Sequence, residues 1–156
     1  MIYLNRRLFL RAASAVGVLC LGAVGGLLPR SARAAWPQAG FDARDVKELM
    51  SALFKDAAAA PSSSVQVLAP EIAENGTVVP ITIKTTLPKI ESITLVAEGN
   101  PRPLAAVFRP DARASSMIGI RVKLAKTQAV TAIVRSDGKL YKASKEINVS
   151  VGGCGG

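Results

Sequence analysis

Histidine is absent from the 156 residues of this chain, which removes the commonest general base and the commonest metal ligand. Cysteine is scarce. There are two, Cys20 and Cys154, and Cys20 lies inside an N-terminal apolar run whose removal leaves a single thiol. One sulfur with no imidazole is a poor metal site, because a tetrahedral centre needs three more ligands. A thiol oxidoreductase would need a resolving cysteine, and none remains. No phosphate-binding loop, catalytic triad, haem-attachment motif or internal repeat is present, and neither a resident cofactor nor a resident metal is expected. A long unbroken apolar span is also missing. The run from Ala12 to Leu28 is interrupted by Gly17, Gly22, Gly25 and Gly26, so it makes a poor permanent membrane helix.

That run is better read as an export signal. Asn5-Arg6-Arg7-Leu8-Phe9-Leu10-Arg11 has the paired arginines of a twin-arginine signal. Ala32-Arg33-Ala34 is an A-x-A cleavage site. The expectation is a signal over residues 1–34, a mature chain from Ala35, residence in the periplasm and no membrane attachment after cleavage. The alternative is a retained signal anchor. Lipidation at Cys20 is disfavoured by Leu19, a bulky residue at the position preceding it.

The net charge of +9 is inflated by this segment. It holds five of the 20 basic residues and none of the 11 acidic ones, leaving 15 against 11 and a net +4 for the remainder. No nucleic-acid function follows from so small an excess.

Within the mature chain one stretch reads as a helix, from Asp42 to Ala60. Val46, Leu49, Met50, Leu53 and Phe54 form one apolar stripe, and Asp42 and Asp45 sit at the favourable end of the dipole. Ala57 to Ala60 extend it, and Pro61 with Ser62-Ser63-Ser64 ends it. From Val65 the pattern changes to short alternating segments. Strands are predicted over 65–68, 78–85, 93–97, 104–108, 118–124, 128–136 and 140–151. Asp137-Gly138 gives a tight hairpin and Asn75-Gly76 another turn. About seven strands with frequent turns predict a mainly β protein, an antiparallel immunoglobulin-like sandwich preceded by one helix. The organisation is then signal 1–34, helix and linker 35–64, sandwich 65–151 and tail 152–156.

The tail carries the chemistry. The last strand leads through Ile147, Val149 and Val151 into Gly152-Gly153-Cys154-Gly155-Gly156. Glycine loses more backbone entropy on ordering than any other residue, so the four glycines read as a flexible arm that resists packing and exposes the thiol. Three extended residues beyond Val151 span roughly 10 Å. The arm supplies no cationic neighbour, and the terminal carboxylate opposes ionisation, so a thiol of ordinary pKa near about 8.5 stays mostly protonated at neutral pH. Activation must come from whatever receives the arm. An unpaired cysteine in an oxidising compartment also calls for a use. Arg121, Lys123, Lys139, Lys142 and Lys145 suggest a basic face, though solvated strand charges are the commoner case. Trp36 stands alone and is assigned to packing.

Asp137-Gly138-Lys139-Leu140-Tyr141, Lys145-Glu146-Ile147 and the closing Gly152-Gly153-Cys154-Gly155-Gly156 together resemble the SoxY family of the periplasmic thiosulfate-oxidising system. Ala69-Pro70-Glu71-Ile72-Ala73-Glu74-Asn75-Gly76 and Asn100-Pro101-Arg102-Pro103-Leu104-Ala105-Ala106 are similar to further stretches of it. The resemblance implies a carrier without catalytic machinery, holding sulfur intermediates on Cys154 as a cysteine S-thiosulfonate and a persulfide. It implies a SoxZ-like subunit as heterodimer partner. It also implies three enzymes that visit the tail: a c-type cytochrome thiosulfate ligase, a manganese sulfate-thiol hydrolase and a molybdenum sulfur dehydrogenase.

From the residues alone, three readings stay open: a covalent carrier, a thiol oxidoreductase, and an assembly module with a terminal disulfide to a partner. The oxidoreductase lacks a second thiol and a base. Substitution of Cys154 separates the other two.

Overall fold

The computed structural model describes residues 37–111 and 117–153. The predicted export signal, Cys20, Trp36 and the tail residues Cys154, Gly155 and Gly156 lie outside the described residues. Two short helices come first, α1 (Gln38–Asp42) and α2 (Val46–Phe54). Nine strands follow among the described residues: β1 (Ala60–Pro61), β2 (Val65–Leu68), β3 (Ile72–Asn75), β4 (Val79–Thr85), β5 (Ile90–Ala97), β6 (Leu104–Phe108), β7 (Met117–Val122), β8 (Gln128–Ser136) and β9 (Lys139–Val151).

The strands make two sheets, as the alternating segments predict. The larger runs β1-β9-β8-β5-β6, with β3 also paired to β9, and the smaller runs β2-β4-β7. The main ladders are antiparallel. Only β1 and β3 run parallel to their neighbour β9. At 13 residues, β9 is long enough to take β8 along one edge and both short strands along the other. Asp137 and Gly138 join β8 to β9 with φ of 51° and 75°, the paired positive values that an Asp-Gly hairpin turn requires.

Between the sheets, Val79, Ile81 and Ile83 of β4 pack against Ile93 and Leu95 of β5, Val130, Ala132 and Val134 of β8, and Ile147 of β9. The opposite face of the larger sheet buries Val96, Ile133 and Leu140 under Ala43, Leu49 and Phe54 of the helical segment. β5 and β8 are therefore covered on both faces, which is why Ala132-Ile133-Val134 is continuously apolar while β4 alternates. Each fully buried Val, Leu or Ile contributes roughly 1.5–3 kcal/mol, so this three-layer stack supplies most of the fold's driving force.

The single helix predicted from Asp42 to Ala60 is corrected to the shorter Val46–Phe54, with a separate short helix, Gln38–Asp42, ahead of it. Asp45 is the true N-cap, its carboxylate accepting the Glu48 N–H at 2.7 Å, while the Glu48 carboxylate reaches back to accept the Arg44 N–H at 2.8 Å. The helix stops at Phe54 because Lys55 and Asp56 are both left-handed, with φ of 52° and 60°. The alanines beyond do not continue it. Ala60 and Pro61 instead align beside Tyr141 and Lys142 of β9, and the Ser62 N–H bonds the Lys142 carbonyl at 3.0 Å. Pairing with β9 here outweighs the helix propensity of alanine. β3 is the other departure: four residues with one buried side chain, Ala73, give too short a pattern to read.

Candidate functional site: the root of the C-terminal tail

The last turn of chain before the tail is held from several sides. Ile72, Ala73 and Asn75 of β3 stand opposite Asn148, Val149 and Val151 of β9. The Asn148 N–H donates to the Glu71 carbonyl at 2.9 Å, and the Val149 N–H to the Thr127 hydroxyl at 2.9 Å. Three further bonds then tie three separate segments together. The Gly76 N–H donates to the Val151 carbonyl at 2.7 Å, the Leu124 N–H to the Gly76 carbonyl at 2.7 Å, and the Gly153 N–H to the Leu124 carbonyl at 2.8 Å.

Close approach at this junction explains its glycines. A Cβ on Gly76 would overlap the Leu124 carbonyl oxygen and lie 2.8 Å from the Gly153 nitrogen. One on Gly153 would overlap the Gly76 carbonyl oxygen and lie 2.8 Å from the Thr77 nitrogen, and one on Gly152 would overlap the Ala125 carbonyl oxygen. The obstructing atoms are backbone, which cannot rotate away as a side chain can. None of the three has a positive φ, so the requirement here is space and not conformation.

The walls of this socket are themselves fixed. The Leu124 side chain is fully buried in the inter-sheet core, which sets the height of its carbonyl. Asn100 braces the same loop: its carboxamide NH2 donates to the Lys123 carbonyl at 2.8 Å, and its oxygen accepts the Ala125 N–H and the Gln128 Nε2 at 2.9 Å each. Gln128 in turn accepts the Gly99 N–H at 2.7 Å. On the other side, the Asn75 carboxamide oxygen accepts the Thr77 N–H at 2.8 Å and the Thr77 hydroxyl, shaping the Asn75-Gly76 turn.

Among the described residues no group of three metal-ligating side chains comes together, and no helix is long and apolar enough to cross a membrane. The suspected basic face is divided. Arg121 stands on the outer side of the smaller sheet, Lys142 is on the helix-covered side of β9 with Leu140, and the Lys145 ammonium is spent on the Ala69 carbonyl at 2.6 Å. A cleft of about 170 Å³ lined by Phe54, Thr94, Arg109 and Arg135 lies toward the Asp137-Gly138 turn, at the far end of β8 from the tail.

A family model for "sulfur oxidation protein SoxY" matches residues 50–154. The chain belongs to the SoxY family. The sulfur carrier protein SoxY from Chlorobium limicola f thiosulfatophilum is 33% identical, with 69% of this chain and 97% of that one covered and a TM-score of 0.62. A superoxide reductase (neelaredoxin) from Ignicoccus hospitalis is 22% identical over 55% of this chain and 80% of its own, with a TM-score of 0.49. No curated protein matches.

For this SoxY-family chain the predicted site residues divide at one bond. Gly152 and Gly153 are described, and the structure places them at the junction with Gly76 and Leu124. Both are wedged against backbone, and Gly153 is buried. Their lack of side chains, read from the sequence as resistance to packing, is what lets them pack. Cys154, Gly155 and Gly156 lie outside the described residues. Sequence reasoning missed Leu124, Ala125, Asn100, Thr127 and Gln128 as parts of the junction. Asn75-Gly76 was legible as a turn, and Asn100 carried a signal only within the family-like Asn100-Pro101-Arg102-Pro103 stretch.

Proposed function

We propose that this chain is a sulfur carrier of periplasmic thiosulfate oxidation and that Cys154 is its covalent attachment point. The observation that carries the reading is that the family match runs to residue 154, so the terminal cysteine is included in it, and that the chain beyond β9 holds no other nucleophile. In the first step the Cys154 thiolate and the terminal sulfur of thiosulfate form an S–S bond. Two electrons leave to a c-type cytochrome acceptor, and the product is a cysteine S-thiosulfonate. Hydrolysis then adds water across the bond between the outer sulfur and the sulfonate. It releases sulfate and two protons and leaves a persulfide anion on Cys154. A manganese hydrolase serves that step, and a molybdenum dehydrogenase oxidises the remaining sulfane sulfur. The chain supplies attachment and delivery, without catalytic groups of its own.

The carrier works as a heterodimer with a SoxZ-like subunit after twin-arginine export and removal of residues 1–34. Substitution Cys154→Ser tests the assignment. Thiosulfate-dependent reduction of cytochrome c by the reconstituted system is expected to vanish while the variant still co-purifies with its partner subunit. Loss of the partner together with activity would favour an assembly disulfide, and retained activity would overturn the attachment point.

A further inference from the structure

The tail root has two properties that a free tether lacks: a buried, hydrogen-bonded glycine and a socket into which only glycine fits. We propose that Gly76, Gly152 and Gly153 are positioning residues that set the length of the tether, seating its root against Leu124 and Ala125 so that the chain leaves the sandwich at Gly153 and not at Val151. The inference deepens the carrier reading, and rests on it for the purpose of the tether though not for the existence of the seat.

The argument is geometric. The cycle Val151–Gly76–Leu124–Gly153 closes through three backbone bonds of 2.7, 2.7 and 2.8 Å, and its three segments are also pinned elsewhere. Leu124 is anchored by its buried side chain and by the Asn100 bonds to Lys123 and Ala125. Val151 is anchored by pairing with Asn75. Gly76 is anchored by the Asn75 turn bonds to Thr77, and Gly152-Gly153, continuing the Val151 segment, is held to Leu124 by the Gly153 N–H. The socket is therefore preformed by the sandwich, and the tail root is its removable occupant.

The consequence is a difference in reach. With Gly153 seated, Cys154 is one residue from fixed chain, a Cα step of roughly 3.8 Å. With the root released, three residues extend from Val151 and reach roughly 10 Å. A seated root keeps the thiol at the rim of the sandwich. An acceptor whose reacting centre is recessed further must draw out Gly152 and Gly153, breaking the Gly153–Leu124 bond as it does so.

Amide hydrogen exchange of the purified full-length protein, followed by NMR, tests this without any sulfur chemistry. In the wild type the Gly153 amide is expected to exchange about tenfold or more slowly than an unstructured chain. Gly76→Ala, which leaves the tail sequence untouched, and Gly153→Ala should each abolish that protection at residue 153 while the amides of Ala132 and Val134 stay protected. Gly119→Ala should change nothing, because the nearest atom to a Cβ there is the Thr82 hydroxyl at 4.0 Å. As a second readout, a small alkylating agent and a bulky maleimide compete for Cys154. The preference for the small reagent should shrink in Gly76→Ala as the thiol moves away from the rim. Unprotected Gly153 in the wild type, or an unchanged reagent preference in a folded Gly76→Ala, would overturn the seat. Normal protection together with a Cys154 that never takes up sulfur would leave the seat standing and sink the carrier reading instead.

Discussion

The two ends of this sandwich use glycine for opposite reasons. At the hairpin end, Gly138 has a φ of +75° and no atom within 4 Å of where a Cβ would sit, so it is there for its backbone conformation and space is irrelevant. At the tail end, Gly76, Gly152 and Gly153 have no positive φ, and backbone atoms fill the volume a Cβ would need. Glycine at the first end permits a sharp reversal. At the second it permits three chain segments to touch, and order follows where composition alone suggests disorder.

Substitutions to alanine sharpen the contrast, because each end fails by its own mechanism. Gly76→Ala should cost most, about 2–3 kcal/mol of stability in denaturant titration, since a forced overlap with backbone resembles overpacking of a core. A cost near zero would mean the junction yields easily. Gly138→Ala should cost about 1–2 kcal/mol, the penalty for placing a Cβ in left-handed backbone. Because Asp137 already tolerates a φ of 51°, replacing Gly138 with Asn should recover part of that loss, and a recovery at Gly76 with Asn would contradict the distinction. Gly119→Ala, on an exposed strand with room to spare, should be neutral or stabilising by about 0.5–1 kcal/mol.

The same contrast shows how far the sequence could be read. Alternation in Val79, Ile81 and Ile83 and the Asp137-Gly138 pair are local signals, and the strands and turn they imply stand where expected. The helix from Asp42 overran because alanine propensity is local, while the pairing of Ala60-Pro61 with β9 joins residues some 80 apart. The junction at the tail was hidden for the same reason. Nothing near Leu124 in the sequence says that its carbonyl will meet Gly153, and Asn100 acts across 25 residues to hold Ala125. Cys154 was legible as the candidate attachment point because that argument is chemical and needs only the absence of competing groups in the sequence. The seating of the two glycines before it depends on tertiary contacts and was not.

Intact-mass spectrometry of the protein taken from cells oxidising thiosulfate bears most directly on the whole account. The carrier reading expects sulfane and thiosulfonate additions confined to Cys154, removed by a thiol reductant and missing from Cys154→Ser. A Cys154 that stays an unmodified thiol throughout thiosulfate oxidation would contradict it.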